Sequence, residues 1–283
     1  MLTERVGPFW RLAIAAAVAV PLPLAHAGTG TPAHVQTVTV DTGFRPQRDG
    51  FSFANWSGLS RATAMSARHM FELLRSAGNC ESGPNPSCTL RNGFVVDLHH
   101  LNEHLSQGRC EGMAVLAARI FLHKTELVHV STRARTTHDL TVAESADEIA
   151  YWWATQLAPN LQQWSADHRT EDVHVLAHEM FRRMRNKVML TIGLYSNGTA
   201  HAVLPIRAAQ RGNVTTFTVY DPNFPGVTRD LVLDHTRNTW TYRRALLPDG
   251  TLGTLSGSGA GGLDYVPIAM RSTRTKWELL GGF

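Results

Sequence analysis

The sequence lacks both a dense basic patch and an apolar run long enough to cross a membrane. Its 27 lysines and arginines are scattered, and the densest group, at 182–185, is typical of a solvated helix face. Nothing in this distribution favours a nucleic-acid partner. The N-terminal apolar run covers only residues 12–20, whereas a membrane helix needs about 20 apolar residues. We therefore expect neither nucleic-acid binding nor stable membrane insertion after signal cleavage.

The first 27 residues have the pattern of a secretory signal peptide. Arg5 and Arg11 give a positive start, the short apolar run follows, and Ala25-His26-Ala27 has the small-x-small form of a cleavage site. We expect a mature chain of residues 28–283 that is secreted or periplasmic. The alanine-rich signal favours a bacterial source.

Cysteines are few, and each of the three has a distinct context. Cys80 and Cys88 are separated by seven residues, in a loop rich in glycine, proline, asparagine and serine. In an exported protein this spacing favours a disulfide. Cys110 is then left over. A lone thiol in an oxidising compartment is either buried and inert or retained for its reactivity.

Helical patterns fill the first part of the chain and strand patterns fill the second. The hydrophobic periodicity predicts helices over 61–76, 94–105, 110–122, 146–157 and 172–187. Alternating β-rich runs predict strands over 35–40, 188–194, 201–206, 214–220, 231–233 and 239–243. Helices followed by closely spaced antiparallel strands predict an α+β fold.

The domain organisation follows from the same patterns. After the signal peptide at 1–27, we expect a loosely ordered N-terminal segment over 28–58. We then expect a single domain over 59–248. Residues 249–283 form a Gly/Ser-rich loop and a C-terminal segment, and we expect 249–262 to be flexible.

The segment around Cys110 has the features of a nucleophile site. The residues that follow, 113–122, are apolar nearly all round, which predicts a buried central helix. A thiol at the N-terminus of that helix would face unpaired N–H groups and the positive end of the helix dipole, which favour the reactive thiolate. Gly108 and Gly112 are expected to let a substrate backbone come close.

An amide-cleaving thiol also needs donors for the oxyanion of the tetrahedral intermediate. The backbone N–H of Cys110 is one candidate donor. The side chain of Gln107 is the second, with Asn102 and His104 as weaker candidates.

Two later segments supply a base and an orienting group. His201 begins a predicted strand just after an Asn-Gly turn, and Asp221 ends the next strand, directly before Pro222. Antiparallel neighbours can bring the start of one strand beside the end of the next. His201 would take and return the thiol proton, and Asp221 would orient the ring. Asn223 is an alternative orienter.

These three segments together resemble papain-like cysteine peptidases, over about residues 95–235. The segments are Gly108-Arg-Cys-Glu-Gly-Met-Ala114, Ala200-His-Ala-Val203 and Val219-Tyr-Asp-Pro-Asn-Phe-Pro225. The bacterial branch with a Cys-His-Asp triad, which includes the YopT-type proteases, is the most similar. The resemblance implies a helical half, with the nucleophile on its central helix, packed on an antiparallel sheet. It maps Cys110, His201 and Asp221 to nucleophile, base and orienter.

The chain departs from the papain pattern in three respects. Papain has a glutamine six residues before its cysteine, where this chain has His104, and the nearest glutamine here is Gln107. The cysteine is flanked by the charged Arg109 and Glu111. YopT-type proteins act inside a host cell, whereas this chain begins with a predicted general export signal.

Other chemistries remain open at this point. His100-Leu-Asn-Glu-His104 matches the H-x-x-E-H pattern of zinc hydrolases, with Glu103 as the base and Glu171 or Glu179 as a further ligand. The same triad would also support acyl transfer of the transglutaminase or deamidase type through a thioester. A binding protein on an inactive peptidase fold is a third alternative.

Taken together, these patterns favour an exported thiol hydrolase of peptide or other amide bonds. We expect a protein or peptide substrate and no cofactor or metal. The aromatic group Tyr151-Trp152-Trp153 is more consistent with core packing than with a sugar site. Three matches to the glycosylation pattern, at Asn55, Asn197 and Asn213, are treated as incidental.

Overall fold

The computed structural model describes residues 36–74, 80–81, 89–196 and 198–271. The predicted signal peptide at 1–27 and Cys88, the expected partner of Cys80, lie outside these ranges, so both remain predictions. Cys80 itself is buried, and its backbone pairs with that of Leu90. No helix in the described ranges is long and apolar enough to span a membrane.

Helices occupy most of the chain before residue 186. They are α1 (Pro46–Asp49), α2 (Ala67–Leu74), α3 (Asn92–Leu105), α4 (Cys110–Phe121), α5 (Leu127–Val130), α6 (Val142–Ala154), α7 (Pro159–Arg169) and α8 (Val173–Arg185). Helix α4 is the central one, because its residues from Glu111 to Arg119 are all buried. The predicted buried helix after Cys110 is therefore present.

Local capping explains where two predicted helices differ from the observed ones. Helix α2 begins at Ala67 rather than Arg61, because the chain from Ser60 to Ala64 forms a separate turn closed by the Ala64 N–H and the Ser60 carbonyl at 2.9 Å. Helix α6 begins four residues earlier than predicted. Thr141 and Glu144 form a reciprocal capping box there.

Helix α7 was not predicted. A proline occupies its first position, and its sequence is mostly polar, with Leu161 the buried residue. Its apolar periodicity is therefore too weak to mark a helix, and contacts with the last strand of the sheet hold it in place.

The strands form an antiparallel sheet, so the predicted α+β class is confirmed. They are β1 (Thr37–Asp41), β2 (Leu190–Ser196), β3 (Thr199–Arg211), β4 (Val214–Tyr220), β5 (Thr228–Asp234), β6 (Thr239–Leu246), β7 (Leu252–Ser258) and β8 (Leu263–Pro267). The order is β7-β6-β5-β4-β3-β2-β8, and β1 pairs with the second half of β3. The sheet curls, and Ser196 in β2 donates to the Ser256 carbonyl of β7.

Among the described residues, the two largest apolar cores lie against this sheet. In the first, α8 packs on residues of β2 to β8, including Phe217, Trp240 and Tyr242. In the second, α4 and α6 pack on Leu204 and Ile206 of β3. Strand β3 thus contributes to both cores. This arrangement fixes α4 beside the strand that carries His201.

Residues 36–58, expected to be loosely held, are tied to the sheet. Strand β1 pairs with β3, the Phe51 N–H donates to the Tyr220 hydroxyl at 3.3 Å, and the Asn55 N–H donates to the Pro222 carbonyl at 2.8 Å. Phe44 and Phe51 are fully buried in the second core. The polar composition of this segment did not predict these contacts with the sheet and the second core.

The Gly/Ser-rich segment is also ordered where it is described, contrary to the expectation of a flexible loop over 249–262. Strand β7 pairs with β6, and every residue of β8 is buried. A Cβ at Gly257 or Gly262 would lie only 2.6 or 2.5 Å from the Trp240 ring nitrogen. These glycines therefore allow close packing against a tryptophan.

Candidate active site

The chain places the Cys110 thiol at the N-terminus of the central helix. Arg109 is the N-cap residue with a non-helical backbone, and α4 starts at Cys110. The first N–H groups of a helix have no acceptor within it, so they form the positive end of the helix dipole. Cys110 is half-buried, and its thiol is not part of a disulfide.

The structure brings His201 and Asp221 together at one end of the sheet. Leu204 of β3 pairs with Tyr220 of β4, so a residue just before this pair on β3 lies beside a residue just after it on β4. The His201 Nε2 and Asp221 Oδ1 atoms are 2.8 Å apart, and both side chains are buried. The strand geometry expected from the sequence therefore produces a direct contact.

Cys110 interacts with the same imidazole. Nε2 of His201 is engaged by Asp221, so Nδ1 is the nitrogen left to interact with the sulfur. Burial alone would lower the pKa of His201, but the Asp221 carboxylate and the hydrogen-bonding and charge interactions with Cys110 raise it well above its ordinary value of 6.5. The three predicted triad residues thus converge, and the Asp221 carboxylate and Cys110 favour the protonated form of His201.

Asp221 is oriented by groups besides His201. The Tyr242 hydroxyl donates to Oδ2, and the Asn223 N–H donates to Oδ1 at 2.8 Å. Burial would raise the pKa of Asp221, but His201, Tyr242 and the Asn223 N–H together lower it. The carboxylate therefore stays ionised although it is fully buried.

Tyr242 was not singled out in the sequence. It occupies a buried position of a predicted strand, and nothing in its local pattern separates an ordinary core tyrosine from one that donates to a buried aspartate. Burial and the neighbouring Asp221 carboxylate hold the pKa of Tyr242 far above its ordinary value, so its hydroxyl remains a donor.

Asn55 is the second residue that sequence reasoning missed. Its Oδ1 accepts from the Arg109 N–H at 2.7 Å, and its Nδ2 donates to the Asn223 Oδ1 at 3.0 Å. The amide therefore links the loop before Cys110 to the turn after Asp221. Its only signal in the sequence was a glycosylation pattern. Asn223, expected as an alternative orienter, contacts Asn55 and Asp221 rather than His201.

The charged neighbours of Cys110 turn away from the thiol. The Arg109 guanidinium is buried and donates to the Trp56 and Gly58 carbonyls at 2.9 and 2.8 Å, while lying 4.5 Å from the Trp56 ring centroid. Burial lowers the pKa of Arg109 to about 10, so it keeps its charge at neutral pH. Arg109 thereby fixes the segment that carries Asn55.

Glu111 is held on the opposite side. Its carboxylate forms an ion pair with the buried guanidinium of Arg271 and accepts from the Thr191 hydroxyl at 3.0 Å. Arg271 also donates to Thr155 at 2.9 Å. This network attaches α4 to β2 and to the end of the described chain.

The two glycines near Cys110 have different roles. A Cβ at Gly112 would lie 2.1 Å from the Ile149 carbonyl oxygen, so this glycine allows α6 to approach α4 and does not serve substrate access as expected. Gly108 lies against Asn55, where an added Cβ would be 3.3 Å from the Asn55 Nδ2 atom. The Gln107 side chain, expected as an oxyanion donor, is exposed to solvent.

The segment considered for zinc binding does not assemble a metal site. On α3, the Glu103 carboxylate contacts His100 Nδ1 at 3.0 Å and His99 Nε2 at 3.2 Å. Within the described ranges, no group of three or more His, Cys, Asp or Glu side chains is arranged to hold a metal ion. The zinc alternative therefore gains no support from the arrangement of these side chains.

Comparison with known proteins found no similar protein. No protein-family model, no curated protein and no solved structure matches the chain.

Proposed function

We propose that this protein is an exported thiol hydrolase that cleaves peptide or other amide bonds. Cys110 is the nucleophile, His201 the acid and base, and Asp221 the orienting group. The observation that carries the proposal is the buried His201–Asp221 pair, at 2.8 Å, whose imidazole also interacts with Cys110. A nucleophile, a base within reach and a third group that orients the base form the pattern of covalent catalysis.

The papain-like resemblance is part of this proposal. A helix that begins at the nucleophile packs on an antiparallel sheet that carries the base and the orienter, which is the arrangement implied by the resemblance. Export is proposed from the signal pattern of residues 1–27.

In the first half of the reaction, the thiol proton resides on His201, and the Cys110 sulfur attacks the carbonyl carbon of the amide. A C–S bond forms while the π electron pair moves to the carbonyl oxygen. When this oxyanion collapses, the C–N bond breaks and the leaving nitrogen takes the proton from His201. The products are a free amine, a thioester on Cys110 and a neutral imidazole.

In the second half, the neutral His201 takes a proton from water as the water oxygen attacks the thioester carbon. Collapse of the second oxyanion breaks the C–S bond and releases the acid. The thiolate and the imidazolium are restored. Asp221 stabilises the imidazolium in both halves and holds the ring so that Nδ1 faces the sulfur.

The test is alkylation of the purified protein by iodoacetamide from pH 5 to 9, with the modified residue located by mass spectrometry. We expect fast modification of Cys110 that persists below pH 7 and that slows in His201→Ala. The matched control is His129→Ala, which removes an exposed histidine of α5. Modification only above about pH 8.5, as for an unperturbed thiol, or equal rates in both variants, would refute the proposal.

A further inference from the structure

We infer that the side-chain amide of Asn55 donates a hydrogen bond to the oxyanion, together with the backbone N–H of Cys110. This inference rests on the proposed function. It assigns a catalytic role to a residue 55 positions before the nucleophile, in a segment outside the range of the papain-like resemblance.

The intermediate formed on Cys110 needs donors close to the attacked carbonyl. The Cys110 N–H occupies the first position of α4, where the helix itself offers no acceptor. It is thus available as one donor. A second donor should be a rigid polar group beside the same stretch of backbone, since preorganised donors need no rearrangement during the reaction.

Asn55 meets this requirement through its fixed orientation. Its Oδ1 accepts from the Arg109 N–H, and one hydrogen of its Nδ2 is used by the Asn223 Oδ1. A side-chain amide carries two hydrogens on nitrogen. One N–H of Asn55 therefore remains for a ligand, and the amide cannot flip without losing both of its bonds.

The surrounding contacts hold this amide beside the nucleophile. A Cβ added at Gly108 would lie 3.3 Å from the Asn55 Nδ2 atom, so the Asn55 amide lies against the backbone that leads into Cys110. The Asn55 N–H is bonded to the Pro222 carbonyl at 2.8 Å, and Arg109 anchors the next residues through the Trp56 and Gly58 carbonyls. The exposed Gln107 side chain has no comparable restraint.

Two reagents separate an oxyanion donor from a residue that only positions Cys110. Iodoacetamide alkylates the sulfur by displacing iodide and forms no oxyanion. p-Nitrophenyl acetate acylates the sulfur through a tetrahedral oxyanion and releases p-nitrophenolate. Both rates depend on the thiolate, whereas only the acylation rate depends on the oxyanion donors.

The informative variants are Asn55→Ala and Asn55→Asp. The aspartate keeps an oxygen that accepts from the Arg109 N–H but removes the donor. In both variants we expect acylation to slow by about 100- to 1,000-fold, the usual effect of losing one oxyanion donor, while the alkylation rate stays close to that of the wild type. The matched control is Asn160→Ala, an exposed asparagine on α7, and circular dichroism verifies the fold.

Four results would overturn the inference. Equal loss of both rates would make Asn55 a positioning residue, and an unchanged acylation rate would remove it from the site. Slow acylation in Gln107→Ala, with normal acylation in Asn55→Ala, would assign the donor to Gln107. A wild-type protein that is neither alkylated nor acylated at Cys110 would refute the proposed hydrolase itself, and the inference with it.

Discussion

Replacing Asp221 with asparagine tests the electrostatic basis of the site. The substitution keeps the shape of the side chain but removes the charge that faces His201. Two unit charges about 4 Å apart attract by about 4 kcal/mol at an effective dielectric constant of 20. At about 1.4 kcal/mol per factor of ten, this energy corresponds to roughly a thousandfold change in the ratio of charged to neutral imidazole.

The direction of the expected pKa change at His201 follows from the opposing effects of burial and of Asp221. Burial lowers its pKa, and Asp221 is the largest of the influences that raise it. Without the carboxylate, His201 should lose its proton at a lower pH than in the wild type. The alkaline limit of p-nitrophenyl acetate turnover should therefore move to lower pH, and the rate at neutral pH should fall by about 100- to 10,000-fold, as for loss of a triad orienter.

The assay combines turnover from pH 5 to 10 with ¹⁵N NMR of histidine-labelled protein, in which His201→Ala assigns the His201 signal. The control is Asp230→Asn, an exposed residue of β5. If the His201 signal titrates at the same pH in Asp221→Asn and in the wild type, the carboxylate does not hold the imidazolium, and the proposed role of Asp221 is wrong.

Three further substitutions test the supporting contacts by urea denaturation. Tyr242→Phe removes the donor to Asp221 and should lower the free energy of unfolding by about 1.5–3 kcal/mol at pH 7. Because folding lowers the pKa of Asp221, this loss should be full above about pH 5 and should shrink as the pH falls through the folded pKa. A loss that does not depend on pH would contradict this prediction. Gly112→Ala should lower the free energy of unfolding by at least about 1–3 kcal/mol, because the added Cβ would collide with α6. The control Gly93→Ala should have no such effect, since a Cβ there meets nothing within 4 Å. Equal effects of the two substitutions would refute the packing argument. Arg271→Met leaves the buried Glu111 carboxylate without its cation and should cost about 3–5 kcal/mol; a stable variant would mean that the ion pair contributes little.

The sequence allowed prediction of those parts of the site that depend on local patterns. An apolar run of helical length beginning at Cys110 predicts a buried helix with the thiol at its N-terminus, and α4 has this form. His201 and Asp221 lie on consecutive strands joined by a short turn, so their contact follows from the alignment of one hairpin. Because only 20 residues separate them, the prediction required no knowledge of the overall topology.

The residues that were missed reach the site through contacts distant in sequence. Asn55 is 54 residues from Arg109 and 168 from Asn223, and no periodicity relates such positions. Tyr242 lies on β6, which β5 separates from β4, so its contact with Asp221 depends on the strand order of the sheet. Composition was misleading in the C-terminal part, since glycines that suggest a flexible loop instead allow contact with Trp240.

The charges beside Cys110 are the clearest departure from papain, and their contacts explain why they are compatible with the proposed chemistry. Arg109 donates hydrogen bonds to backbone carbonyls of the segment that carries Asn55, and Glu111 forms a buried ion pair with Arg271. Both charges are thus engaged by other partners, whereas the pKa of the His201 imidazole responds to burial, Asp221 and Cys110. The two residues therefore stabilise the framework of the site, one on each side of Cys110. Substituting Arg109 or Glu111 should therefore lower the free energy of unfolding more than it changes the pKa of His201.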